Sequence, residues 1–319
     1  MEFPVATNRR ARRHVSRACR RPLNVGRVRK YLKVAPGRAL MMAALLIPLS
    51  SIGYAQPASP SASQTDNEPL SEQVIDPLAQ LTQLQLKDLY TPAEYGTNAQ
   101  PNTMQLRAIF AIHPFLFIPL EQIIRPTFRV VTVPDGKGAS TSTAYDDMQL
   151  LDLFAMPWPN SRETDFRWGI GTYLVLPSAS SDRTGRRSWQ MGPAGAFSYT
   201  GISGLDIAGL LQQATSFAYT SSSSTPVCVL TFQPILSYQL GHEWYLKSSD
   251  ATWIFNLRHN TSTLIPLSAG FGRVWEFSRN YALDTSISGE WMVYRQFANG
   301  AGQFTLNFQV GLVFPKLQL

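Results

Sequence analysis

The chain has 319 residues, of which 44% are hydrophobic, 11% aromatic and only 15% charged. This charged fraction is well below the roughly 25% of an average soluble domain, which disfavours a soluble α-helical protein, and the large apolar content excludes a wholly disordered chain. The net charge of +7 is concentrated at the start, because residues 1–40 hold 12 Lys and Arg against a single acid and residues 41–319 are left with a net −4.

Residues 1–55 are typical of a basic arm followed by a secretory signal peptide. The uncharged run at 39–52 is shorter than the roughly 20 residues that a membrane-spanning helix needs, and Gly53-Tyr54-Ala55 supplies a small-residue cleavage site. We expect cleavage after Ala55, with a short membrane anchor as the alternative. Because cleavage removes the basic arm, no nucleic-acid partner is expected.

Residues 56–70 are rich in Pro, Ser, Ala and Gln and predict a flexible linker. Residues 71–103 predict a short helical or irregular segment, since Val74, Ile75, Leu78 and Leu81 follow helical spacing. This segment precedes a β-rich region, and we expect it to lie either in the mouth of the resulting barrel, as a plug, or on its rim.

Alternation of apolar and polar residues with period 2 dominates residues 104–319. It is clearest in the last strand, where six apolar side chains from Phe304 to Phe314 alternate with polar ones. Turn residues separate the segments, and bacterial barrels have even strand numbers, so twelve strands are predicted, with ten as the alternative. The predicted segments are 104–113, 122–132, 147–155, 166–176, 188–199, 204–217, 227–240, 243–249, 250–258, 262–275, 281–293 and 303–314.

A transmembrane antiparallel β-barrel is favoured over a soluble β-sandwich or lipocalin. The segments are longer than the five or six residues common in globular sheets, the charged fraction is low, and backbone in lipid must pair within a closed sheet. Aromatic residues also cluster near the proposed strand ends, as in interfacial girdles. These residues are Trp158, Trp168, Trp189, Trp244, Tyr245, Trp275, Tyr281, Trp291 and Tyr294.

In a membrane barrel the polar face of each strand lines the interior. Eight charged residues on these faces are candidates for lining the lumen: Arg107, Arg125, Arg129, Arg167, Asp250, Arg258, Asp284 and Glu290. Mixed charges of this kind set which solutes pass an open channel. The alternative is that they form salt-bridged filling inside a closed barrel, because small barrels are filled by their own side chains.

Several passages resemble a bacterial outer-membrane family. Trp168-Gly-Ile-Gly171, Leu176-Pro177 and Trp189-Gln-Met-Gly-Pro193 are similar to its "WGxGP…LPTA…WxxGP" region. Further similar passages are Asp76–Leu81, Gln233–Tyr238, Ile265–Val274 and Phe308–Lys316. The family contains transporters related to proteins of the meta-pathway of phenol degradation, some of them labelled neuromedin U.

The resemblance covers roughly residues 75–316 and implies a barrel that passes solutes, without catalytic residues. The chain ends on Leu319, whereas such barrels often end on an aromatic residue that the outer-membrane assembly machinery recognises. We therefore expect Phe314 to serve that purpose, followed by a short tail.

The favoured function is passive passage of small solutes, aromatic or otherwise apolar, through a channel in a bacterial outer membrane. Outer-membrane lipids, the solutes and the assembly machinery are the expected partners; the oligomeric state is left open. No cofactor, catalytic group or metal site is predicted, because no phosphate-binding loop, dinucleotide fingerprint or ligand cluster is present. The alternatives are a closed structural or adhesion barrel and a lipid-modifying enzyme, the latter suggested by His259 near Ser262.

Overall fold

The computed structural model describes residues 70–114, 118–135, 140–156, 165–222, 224–258, 263–296 and 301–317. The predicted signal peptide lies outside the described residues, as does all of the predicted linker except Leu70. Trp158, His259 and Ser262 also lie outside them.

The described strands form one antiparallel sheet that closes on itself. Most strands pair with their neighbours in the sequence, and the first strand pairs with the last from Thr82↔Phe314 to Glu94↔Gly302. The strands are β1 (Thr82–Glu94), β2 (Asn102–Ile112), β3 (Glu121–Pro134), β4 (Thr141–Tyr145), β5 (Met148–Ala155), β6 (Phe166–Leu176), β7 (Ser188–Ile202), β8 (Leu205–Tyr219), β9 (Cys228–Gly241), β10 (Trp244–Ser248), β11 (Trp253–Asn256), β12 (Thr263–Ser278), β13 (Tyr281–Arg295) and β14 (Gly302–Phe314).

Two interruptions reduce these segments to twelve strands in the barrel wall. β4 and β5 pair in succession with β3 and are separated at Asp146-Asp147. β10 and β11 both pair with β9 and β12, with residues 249–252 between them. The predicted fold, a closed antiparallel barrel of about twelve strands, is confirmed.

Two details of the predicted strand pattern are wrong. The barrel begins at Thr82, whereas the sequence predicts its first strand at 104 and assigns 71–103 to a helical or irregular segment. The segments predicted at 243–249 and 250–258 are two halves of a single wall strand. The missed strand and the doubled one offset each other, so the total of twelve is correct.

The start of the chain explains the missed strand. Residues 83–87 alternate polar and apolar side chains, but the leucines at 78, 81, 84 and 89 also fit a helical spacing. The observed helix, α1, covers only Leu70–Gln73. Pairing of β1 with both β2 and β14 supplies the hydrogen bonds and decides the conformation, as tertiary context commonly does for short amphipathic segments.

The two ends of the barrel differ in their connections. The end that holds Thr82 and Phe314, here called the terminal end, has two-residue turns at three of its five connections, between β7 and β8, β9 and β10, and β12 and β13. His242 and Glu243 both have positive φ (53° and 62°), as a type I′ hairpin requires. The opposite end, called the loop end, has longer connections such as 177–187. Outer-membrane barrels place short turns on the periplasmic side, so the terminal end is expected there.

The outer surface of the wall is an apolar belt. Outward-facing Leu, Met, Phe, Ile and Val side chains are exposed on nearly every strand, among them Leu86, Met104, Phe128, Ile170, Phe271, Phe308 and Val310. Near the strand ends the exposed aromatic residues include Trp189, Trp244, Trp275, Tyr281, Trp291 and Tyr294.

Tyr245 departs from the predicted aromatic girdle, because its side chain points inward and is completely buried. In the part of the chain that the structure describes, no helix is long and apolar enough to span a membrane. A closed sheet with an apolar exterior and aromatic margins fits a lipid bilayer, and the predicted location in a bacterial outer membrane is confirmed.

Candidate functional site in the lumen

Charged side chains gather in the barrel interior. Six of the eight residues predicted to line the lumen lie at inward-facing positions of their strands, namely Arg107, Arg125, Arg129, Arg167, Asp284 and Glu290. Asp250 lies in the interruption between β10 and β11, where its side chain is 4% exposed. Arg258 is different: it follows β11 at the loop end and is exposed to solvent. The predicted alternation continued to residue 258, but the strand ends at Asn256.

Asp250 is bound by two lysines from different parts of the wall. Lys87 of β1 donates to its Oδ1 at 2.8 Å, and Lys247 of β10 lies 2.9 Å from its Oδ2. Ser288 of β13 also donates to Oδ2, at 2.7 Å. Both lysine side chains are at least 89% buried. The group connects three sections of the wall through the lumen. Two lysines and one carboxylate leave it with one net positive charge.

A second buried group lies near the terminal end. The hydroxyl of Tyr245 donates to Oδ1 of Asp284 at 2.5 Å, and the amide of Gln309 donates to Oδ2 at 2.7 Å. Asp284 is 1% exposed. Since the carboxylate is held by neutral donors, it fastens β10, β13 and β14 together inside the barrel.

Three arginines lie together on β2 and β3. Arg107 is directly opposite Thr127, and Arg125 and Arg129 are two residues to either side of Thr127, so Arg107 is the diagonal neighbour of both. Only Arg129 has an acidic partner here, Asp146, at the interruption between β4 and β5. Neither Arg107 nor Arg125 forms an ion pair with any residue that the structure describes. Nε of Arg107 is buried without a hydrogen-bond partner.

Residues 74–81 cross the interior at the terminal end, and they are called the plug segment below. Val74, Ala79 and Leu81 pack in one buried cluster with Tyr245, Val274, Ala282 and Val313, which belong to four consecutive wall strands. Leu78 packs in another cluster with residues from the opposite half of the wall, namely Ile123, Leu151, Leu153, Ala194, Ala196 and Leu210. The segment therefore contacts the wall on both sides of the lumen.

Two further contacts hold the plug segment in place. Asp76, with a side chain 4% exposed, accepts a hydrogen bond from Nη2 of Arg167 on β6 at 2.5 Å. Leu78 lies over Gly169 of β6 so closely that a Cβ at that glycine would be 2.8 Å from Leu78 Cδ2. A larger residue at 169 would therefore collide with the segment.

A cavity of about 50 Å³ lies directly against the plug segment. This volume holds a few water molecules. Four cationic side chains line it, together with three glutamines and several apolar groups. The lining comprises Val74, Ile75, Asp76, Pro77, Gln85, Lys87, Arg107, Ile109, Arg125, Gln233, Ile235, Tyr245, Lys247, Ser249 and Gln309.

The sequence did not identify several of these residues. Lys87 and Gln85 were missed because β1 was not recognised as a strand. Lys247 was missed although its strand was predicted, because only the buried contact with Asp250 distinguishes it from a surface lysine. Among the described residues, no three His, Cys, Asp or Glu side chains come together as a metal site would require.

Comparison with known proteins finds likeness in fold but none in sequence. No protein-family profile and no curated protein matches the chain. The NanC porin is 11% identical, over 73% of this chain and 100% of that one, with a TM-score of 0.47. An outer membrane channel from Pseudomonas putida F1 is 14% identical, over 73% of this chain and 94% of that one, with a TM-score of 0.49. At such identities the likeness concerns the fold alone.

Proposed function

We propose that this chain is an outer-membrane channel for small solutes, and that the plug segment closes its terminal end in the conformation described. The observation that carries the proposal is the interior of the barrel. A closed sheet with an apolar exterior encloses charged groups, amides and a polar cavity, as a water-filled path requires.

The position of the plug segment supports a gated path. It lies inside the lumen, where it rests on apolar clusters and one ion pair, and it forms no wall strand. Moving it would break the Asp76–Arg167 contact and uncover Leu78, but would leave every ladder of the wall intact. A closure of this kind can open without unfolding the barrel.

The solutes we propose are small molecules with an apolar or aromatic body. The cavity supports this class, because Ile75, Ile109 and Ile235 line it beside the charged groups. We also propose that the chain is related to the outer-membrane transporters of the phenol meta-pathway type, on the strength of the motifs at 168–193 and 308–316. Phe314, at the end of β14, is the proposed recognition point for the assembly machinery.

Planar-bilayer recordings test the channel. The mature chain is expected to give small, rare conductance steps, and a variant that lacks residues 70–79 larger and more frequent ones. The second candidate function, a closed structural or adhesion barrel, is favoured by the network of buried ion pairs in the lumen. If neither protein passes ions or solutes at any potential, the channel proposal fails and the closed barrel takes its place.

A further inference from the structure

We propose that Arg107 and Arg125 form a binding site for a small organic carboxylate in the cavity beside the plug segment. This inference rests on the proposed function only for its setting, since a binding site in the lumen does not require that the barrel conducts.

The first support is the distribution of charge around the cavity. Among the described residues, six basic side chains gather in the interior, and four of them have an acidic partner: Lys87 and Lys247 share the single carboxylate of Asp250, Arg129 pairs with Asp146, and Arg167 pairs with Asp76. The remaining two are Arg107 and Arg125, and both line the cavity. Positive charge is therefore in excess at the place where free volume exists.

The second support is the arrangement of the two guanidinium groups. Arg107 and Arg125 stand on adjacent strands as diagonal neighbours on the inward face, so their side chains lie within reach of each other. Like charges placed so close repel, and Nε of Arg107 is buried with no acceptor. An anion between the two side chains removes the repulsion and supplies the missing acceptor.

The chemistry of the donors selects a carboxylate. A guanidinium group presents a planar fork of N–H donors that matches the two oxygens of a carboxylate, and such charge-assisted bonds are the strongest that side chains form. Beside the arginines, three isoleucines also line the cavity, namely Ile75, Ile109 and Ile235. A carboxylate with a short apolar body satisfies both surfaces.

Acetate is a suitable probe, with acetamide as its neutral counterpart of the same shape and benzoate as a carboxylate whose ring is too large for a cavity of about 50 Å³. Binding to the full mature barrel in detergent is measured by calorimetry and by ligand-observed nuclear magnetic resonance. We expect acetate to bind more tightly than benzoate and at least tenfold more tightly than acetamide, because the amide lacks the negative charge. Inorganic phosphate is a further arm; tighter binding of phosphate than of acetate would overturn the assignment to carboxylates.

Three variants locate the site. Arg107→Gln and Arg125→Gln are each expected to weaken acetate binding by about tenfold, the loss that one charge-assisted contact implies. Arg129→Gln is the matched control, because its guanidinium group is occupied by Asp146, and it is expected to change the affinity less than threefold. Gel electrophoresis checks that each variant has folded into a barrel, because the unboiled, folded protein migrates faster than the same protein after boiling.

The proposal is overturned if acetate and acetamide bind equally to the unaltered barrel, or if the Arg107 and Arg125 variants bind acetate as the unaltered barrel does. Either result leaves the channel proposal standing, provided that conductance is observed. Conversely, a barrel that binds acetate through these arginines but never conducts would refute the channel and keep the site.

Discussion

Lys87 on β1 and Asp250 between β10 and β11 are joined by a 2.8 Å ion pair, although three wall strands separate them around the barrel. The contact therefore runs through the lumen and not along the wall. Lys247 binds the other oxygen of the same carboxylate, so a single acid neutralises parts of two lysines.

Replacing Asp250 by Asn is expected to destabilise the barrel by about 3 kcal/mol or more, because it leaves two buried ammonium groups without a counter-charge. Lys87→Met is the comparison: Asp250 keeps Lys247 and Ser288, so the loss is expected to be roughly 1–2 kcal/mol. Urea unfolding in phospholipid vesicles, followed by tryptophan fluorescence, measures both. Equal losses would show that the two lysines do not depend on this carboxylate.

A charge in the middle of the apolar belt is expected to impair insertion. Phe308 faces outward and is 46% exposed, and its ladder neighbour Ile287 belongs to the same apolar row. Phe308→Arg should lower stability in the bilayer by roughly 2–4 kcal/mol. The measurement is the folded fraction in vesicles, with Phe308→Leu as the control; normal insertion of the arginine variant would contradict the assigned face.

Asp88 is an exception to the uncharged belt that the sequence led us to expect. It occupies an outward position on β1 between Met104 and Phe308, and its Oδ1 is buried without a hydrogen-bond partner. Asp88→Leu is therefore expected to stabilise the barrel in lipid by about 1 kcal/mol, with the sign opposite to that of the arginine at 308. A loss of stability in the same vesicle assay would mean that the carboxylate has a partner in the membrane.

The absence of a side chain at Gly169 allows Leu78 of the plug segment to pack against β6. A valine there would place atoms within 2.8 Å of Leu78 and 2.9 Å of the Phe154 carbonyl oxygen, so it should displace the segment and raise the conductance. Gly195→Val is the matched control, because a Cβ at Gly195 is 3.7 Å from its nearest neighbour. Leu78→Ala, which removes the contact without crowding the wall, should also raise the conductance; no change in either variant at 169 or 78 would show that the segment does not limit flow.

Ion selectivity reports which charges line the path. Arg125→Glu reverses a charge beside the cavity and is expected to shift the reversal potential in a salt gradient towards cation preference. Arg258→Glu provides the control, since Arg258 is exposed beyond β11 and is not among the residues that line the cavity. Identical shifts in the two variants would mean that the effect comes from overall charge and not from the lumen.

The sequence by itself determined the class of fold, because a strand with one face in lipid and one in water must alternate with period 2, and a sheet in lipid must close. The alternation at 104–113, 122–132, 166–176 and 281–293 predicted both the strands and the inward direction of Arg107, Arg125, Arg129, Arg167, Asp284 and Glu290. It failed where two periods fitted the same residues, at 78–89, and where a strand was interrupted, at 249–252.

Only the tertiary structure decided which charges neutralise each other. Lys87 and Asp250 are 163 residues apart in the sequence, and no local pattern signals a contact at that separation. No local pattern signals the contact of Asp76 with Arg167 either. The apolar residues of the plug segment are compatible with a helix or a strand, and with a place in the barrel mouth or on its rim. Their place in the lumen depends on the size of the closed barrel and the side chains that fill it, and these exist only when all twelve strands are in register.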